Sequence, residues 1–67
     1  MTFIEYMEKI ERVDPSGQGP ESRVYRILQI EGGDSYPEAE MRMVGLNGLT
    51  DLFEQLWERY EEWQEGQ

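Results

Sequence analysis

Residues 47–64 read NGLTDLFEQLWERYEEWQ, and this stretch decides the fold because its apolar residues recur at helical spacing. At about 100° per residue, they fill one broad face of a helix. The residues of this face are Leu49, Leu52, Phe53, Leu56, Trp57, Tyr60 and Trp63. We therefore predict a long C-terminal helix over 47–64, capped at its start by Asn47 or Thr50.

The opposite face of this helix carries almost only carboxylates, within about 100° of arc. We call this set the acidic face; its members are Asp51, Glu54, Glu58, Glu61, Glu62 and Glu65. The set spans roughly 21 Å at 1.5 Å per residue. One charge per about 4 Å is close to the ~3.4 Å axial spacing of phosphates along one DNA strand. Two interpretations follow: a solvated helix face, or a mimic of a phosphate row that binds a basic groove.

The first segment, residues 2–13, predicts a shorter helix. Thr2 and Glu5 have the spacing of a capping box, in which each side chain accepts a hydrogen bond from the other residue's backbone N–H. The apolar residues then fall on one helical face, namely Phe3, Tyr6, Met7, Ile10 and Val13. A strand is the alternative for this segment, and its conformation stays open at this stage.

Two β-strands are predicted in the middle of the chain. Residues 23–31 are rich in the β-branched and aromatic side chains that suit a pleated sheet. Residues 38–46 alternate apolar and charged side chains around Met41 and Met43. The short segment between them contains Gly32-Gly33, which predicts an antiparallel hairpin.

The predicted fold is therefore α+β, with a small antiparallel hairpin packed under the long C-terminal helix and a short N-terminal helix (αββα). A first segment in strand conformation would instead give a three-stranded antiparallel sheet with one helix (βββα). The chain is predicted to form a single domain over residues 1–67, with turn-rich loops at 14–22 and 32–37. A two-stranded sheet is marginally stable by itself, so a partner could extend it.

Composition excludes most catalytic chemistry. The 67 residues include no cysteine and no histidine, so the usual general base, nucleophilic triads and thiolate metal sites are absent. We predict that the protein is not an enzyme and has no cofactor. No apolar run is long enough to cross a membrane, and the N-terminus lacks a signal-peptide pattern, so we expect a cytoplasmic protein.

The charge balance points to the partner class. Fifteen acidic residues against six basic ones give a net charge of −9. Coulomb repulsion makes nucleic acid and anionic membranes poor partners, whereas a basic protein surface is a good one. We therefore expect the partner to be a basic, nucleic-acid-binding protein.

A second acidic group surrounds the predicted hairpin and extends the candidate surface. Its members are Glu31, Asp34, Glu38 and Glu40, and Glu21 is a further predicted partner-binding residue. A divalent-cation site is conceivable here because hard cations prefer oxygen ligands, but no calcium-loop spacing is present. We predict no metal site and interpret this group as a continuation of the acidic face.

The wide aromatic face of the C-terminal helix offers an alternative interface. Trp57, Tyr60 and Trp63 exceed what a two-stranded sheet covers, and aromatic residues are enriched at protein interfaces. In this reading the protein is a structural or regulatory interaction module or a homodimer. Burial of the same residues in the core is the competing interpretation.

In size, charge and the lack of cysteine and histidine, the chain resembles small acidic inhibitors made by phages and mobile elements. These include uracil-DNA glycosylase inhibitors, anti-restriction proteins and anti-CRISPR proteins. Glu21-Ser22, placed just before a predicted apolar strand, is similar to an acidic-plus-hydroxyl pair of the glycosylase inhibitors. The resemblance implies an inhibitor that acts as a DNA mimic, and a contact of this pair with the DNA-binding region of a target enzyme.

Overall fold

Helices are the only regular elements in the described part of the chain. The structure is a computed structural model that describes residues 1–31, 36–44 and 48–67, without the side chains of residues 30, 31 and 41. Its helices are α1 (Phe3–Lys9), α2 (Pro20–Glu31), α3 (Tyr36–Met43) and α4 (Leu49–Glu65). Because these described elements are all helices, the predicted α+β fold is wrong, in both its αββα and its βββα form. The long helix α4 packs against each of the other three helices.

The first predicted strand, 23–31, is helical and belongs to α2. Val24 and Leu28 lie four residues apart and are fully buried, and Tyr25 beside them is 3% exposed. This spacing gives one continuous helical face, and its burial outweighs the preference of β-branched residues for strands. Pro20 begins the helix, at a position where its missing N–H costs nothing.

Of the second predicted strand, 38–46, residues 38–43 are helical and Val44 is in a turn. Ala39 and Met43 are both fully buried. Residues four apart share a face in a strand and in a helix alike, so this pair does not distinguish the two. Tyr36, half-buried against the core, completes the i, i+3, i+7 pattern of a helix. Of the predicted loop 32–37, residues 32–35 lie outside the described residues, and Tyr36 and Pro37 are helical.

The N-terminal helix is confirmed, with an earlier end than predicted. Thr2 is its N-cap, and the hydrogen bonds of the capping box with Glu5 are both present. The helix ends at Lys9, and the chain turns at Arg12, which has a left-handed φ of 56°. The backbone N–H of Val13 then donates a hydrogen bond of 2.9 Å to the carbonyl of Met7.

The loop between α1 and α2 is fixed by side-chain hydrogen bonds to its backbone. Arg26 donates from Nη1 to the carbonyl oxygens of Pro15 and Gly17, at 3.2 and 2.7 Å. The buried Ser22 hydroxyl donates to the carbonyl of Asp14. Since α2 already begins at residue 20, the predicted loop 14–22 extends three residues too far.

The start of α4 differs from the predicted cap. Gly48 is the N-cap, with a left-handed φ of 73° that glycine adopts at no steric cost, and no side chain caps the helix. Thr50 instead donates its hydroxyl to the carbonyl of Met43 at 2.9 Å, which ties α4 to the end of α3. Asn47 lies outside the described residues.

An aromatic cluster joins α1 to α4. The Phe3 ring lies 5.0 Å from Trp57, 5.4 Å from Tyr60 and 5.7 Å from Phe53, measured between ring centroids. Phe3 is 1% exposed, so the cluster is the centre of the contact between the two helices. Such pairs add about 0.5–1.5 kcal/mol each beyond the area that they bury.

The burial of Tyr6 predicts a loss of stability at alkaline pH. Its hydroxyl donates a hydrogen bond of 2.6 Å to the Glu11 carboxylate. Desolvation and this hydrogen bond raise the pKa of Tyr6 to about 12, from about 10 in an unfolded chain. Because the folded state holds the proton more tightly, this stabilisation is complete below about pH 10 and is lost as the pH rises to about 12.

Urea unfolding followed by circular dichroism tests this dependence. The free energy of unfolding is expected to fall between about pH 10 and 12. Tyr6→Phe is the matched variant, and its fall should be smaller but not zero, because burial also raises the pKa of Tyr25. An equal fall in both proteins would show that Tyr6 does not cause the alkaline loss.

Candidate functional site

The acidic face of α4 points away from the core along the whole helix. Five of its six carboxylate side chains are exposed, and Glu54 is half-buried. The opposite face supplies the buried residues Leu49, Phe53, Leu56 and Tyr60. The structure therefore places these six acidic residues together on one surface, as the sequence predicted for the helix.

The ion pairs of Lys9 and Arg59 do not involve a carboxylate of this face. Lys9 pairs with Glu5 at 3.6 Å, and Arg59 pairs with Glu11 at 3.3 Å. Arg59 lies at the border of the acidic face but reaches to the loop after α1 instead. Neither Lys9 nor Arg59 therefore offsets the charge of the acidic face.

A groove runs along one border of the acidic face, between α3 and α4. It has a volume of about 520 Å³, and we call it the α3–α4 groove. Its walls are formed by Tyr36, Pro37, Glu54, Trp57, Glu58 and Glu61. Half of these residues are carboxylates of the acidic face, and the other half are apolar or aromatic, so the groove joins both kinds of surface.

The pKa of Tyr36 reflects the carboxylates that surround the groove. Desolvation raises the pKa of its hydroxyl, and the charge of Glu40 raises it further. Glu54 and Glu58 act in the same direction from the other helix. Carboxylates of α3 and α4 therefore converge on one side chain. Because the sequence placed Tyr36 and Pro37 in a loop, it did not identify them as site residues.

The second predicted acidic group is only partly joined to the acidic face, and Glu21 lies apart from both. Glu40 is half-buried beside the groove, and Glu38 is exposed on the same helix α3. Asp34 and the side chain of Glu31 lie outside the described residues. Glu21 lines a different, smaller cavity of about 270 Å³ together with Arg59, on the opposite border of α4 from the α3–α4 groove.

The Glu21-Ser22 pair stands in the first turn of a helix, and the strand predicted after it is absent. Glu21 is exposed, whereas Ser22 is 6% exposed and its hydroxyl donates to the carbonyl of Asp14. The serine therefore holds the preceding loop in place. Its environment is that of a structural residue.

The aromatic residues of the alternative interface are largely covered by α1. Tyr60 is 7% exposed, and its hydroxyl donates a hydrogen bond of 2.7 Å to the carbonyl of Met1. Trp57 packs on Phe3, and Trp63 lies 5.6 Å from Tyr6 between ring centroids. Parts of both tryptophans remain accessible, and that of Trp57 lines the α3–α4 groove.

The described residues contain neither a candidate metal site nor a helix suited to crossing a membrane. Within 1–31, 36–44 and 48–67, no three histidine, cysteine or carboxylate side chains are grouped so that they could hold a metal ion. None of the helices in these ranges is long and apolar enough to span a membrane.

Comparison with known proteins adds no relative. No protein-family model, no curated protein and no solved structure matches this chain. The function must therefore be inferred from the site itself.

Because the acidic face contains like charges four residues apart, we predict that one charge reversal within it stabilises the protein. Glu58 lies four residues from both Glu54 and Glu62, and such like-charge pairs destabilise a helix. Glu58→Lys replaces two repulsions with two attractions, each worth about 0.2–0.5 kcal/mol. The free energy of unfolding in urea is expected to rise by several tenths of a kcal/mol.

The same charge change at Glu5 provides the control. Glu5 accepts hydrogen bonds from Thr2 and pairs with Lys9, so Glu5→Lys should lower the free energy of unfolding. Opposite signs for the two variants are expected. A destabilising Glu58→Lys would mean that the carboxylate makes a favourable contact within the folded chain.

Proposed function

We propose that this protein is a non-catalytic inhibitor that occupies the basic nucleic-acid-binding surface of a target protein by charge mimicry. The acidic face of α4 is the contact surface. The observation that carries the proposal is a row of exposed carboxylates on one rigid helix with no cation among the described residues within its arc. A straight helix fixes their spacing, as the backbone of a duplex fixes its phosphates.

The repulsion between carboxylates of the acidic face favours a role in binding over simple solvation. A helix face needs polar residues to meet water, but glutamates mixed with lysines would serve that need and stabilise the helix. Here Glu58 has carboxylates at both i−4 and i+4. A surface that is kept at the expense of stability is typical of a functional site.

The proposal also explains where the cations lie. Arg59 stands on the same helix and could reduce the repulsion within the acidic face. It pairs with Glu11 instead, at 3.3 Å. The acidic face therefore presents one sign of charge to a partner, which steers a basic surface toward it.

A double charge reversal tests the proposal. The full chain, carrying an affinity tag, first captures its partner at low salt, and the purified partner is then tested for nucleic-acid binding. The wild-type protein should compete with the nucleic acid, and competition should weaken steeply with salt, because exposed charges are screened over about 8–10 Å at physiological ionic strength. Glu58→Lys combined with Glu62→Lys should weaken binding about a hundredfold or more, since like-charge contacts at an interface cost several kcal/mol.

A second double variant separates the acidic face from net charge. Glu8→Lys combined with Glu21→Lys changes the total charge by the same amount, at exposed positions on α1 and α2. This variant should compete nearly as well as the wild type. Equal loss in both double variants, or none in either, would exclude the acidic face as the contact surface.

A further inference from the structure

The α3–α4 groove combines aromatic rings with carboxylates. Carboxylates alone do not select a ligand, because they attract any cation. The aromatic wall adds a second requirement: the bound cation must also have an apolar or flat surface that packs on a ring. At about 520 Å³, the groove lies within the roughly 300–1,000 Å³ of ligand sites.

The aromatic wall is a corner of two rings. Tyr36 and Trp57 have centroids 5.4 Å apart and planes inclined by 62°. Because the rings touch each other, nothing can be inserted between them, and a ligand must lie against the corner. A flat group can then stack on one ring while the other ring closes its side.

Neighbouring rings hold this corner in place. Tyr36 stacks on Phe53, with centroids 5.4 Å apart and planes within 29° of parallel. Trp57 is held by Phe3 at 5.0 Å and by Tyr60 at 5.3 Å. The corner is therefore formed before a ligand binds, so binding loses little side-chain entropy at this site.

We propose that the α3–α4 groove binds an arginine side chain of the basic partner, with the guanidinium stacked on the aromatic corner and its N–H groups donating to Glu54 and Glu58. This inference rests on the proposed function and names the side chain that the partner contributes. Arginine fits better than lysine because its planar group stacks on rings and bonds carboxylates in a bidentate manner. An ammonium group is a compact, strongly hydrated charge without a flat face.

Two peptides of equal length and charge test the choice of side chain. Binding of a fluorescent oligo-arginine peptide and of an oligo-lysine peptide is measured by anisotropy on the full chain at low salt. Both should bind by charge, and oligo-arginine should bind about two to five times more tightly, as expected for one cation–π contact of roughly 0.5–1 kcal/mol. The indole N–H signal of Trp57 in an NMR spectrum should shift more with oligo-arginine.

Two double variants of equal charge locate the preference. Glu54→Gln with Glu58→Gln changes the groove, and Glu62→Gln with Glu65→Gln changes the same helix outside it. All four positions are on the surface side of α4, so both proteins should fold. Because Glu54 and Glu58 would hold the guanidinium against the rings, the groove variant should show a smaller preference for arginine, whereas the control variant should keep the full preference.

The outcomes separate this inference from the proposed function. Equal binding of both peptides to the wild type, or an undiminished arginine preference in the groove variant, would overturn the arginine site and leave the acidic face as a general cation surface. Failure of both peptides to bind at low salt would contradict the proposed function as well.

Discussion

The packing of Phe3 against α4 is the contact on which the rest of the structure depends. Its ring touches Phe53, Trp57 and Tyr60, so α1 covers the aromatic side of the long helix. The hydrogen bond from Tyr60 to the carbonyl of Met1 fixes the chain before α1 as well. Once this side of α4 is covered, the carboxylates are left facing outward. One face of α4 therefore forms the core of the fold, and its opposite face forms the candidate site.

The long periodic segment and the capping box were sufficient to predict α4 and α1, because both signals are local. The middle of the chain was not predictable in the same way. Val24 and Tyr25 suit a strand by residue type, although the burial of Tyr25 together with Leu28 fits a helix. Ala39 and Met43 fit both periods. Burial against α4 decides between the two, and that contact is not visible in the sequence.

The candidate site likewise has one part that could be predicted from local spacing and one part that depends on contacts between helices. The acidic face could be predicted because it depends only on spacing within one helix. The α3–α4 groove could not, since it requires Tyr36 and Trp57 to meet across two helices, and Tyr36 was assigned to a loop. The helical i, i+3, i+7 relation of Tyr36 to Ala39 and Met43 was the available signal. Its neighbour Pro37 obscured it, although proline is well tolerated in the first turn of a helix.

The proposed binding surface combines the carboxylates of one rigid helix with an aromatic corner beside them. The most direct test maps, by NMR, which residues change when an oligo-arginine peptide is added at low salt. We expect the signals of residues 54–65 and of Tyr36 to shift together, and we expect salt to reverse the shifts. Shifts centred on α1 and α2, or spread evenly over the molecule, would contradict the claim that the acidic face of α4 is the binding surface.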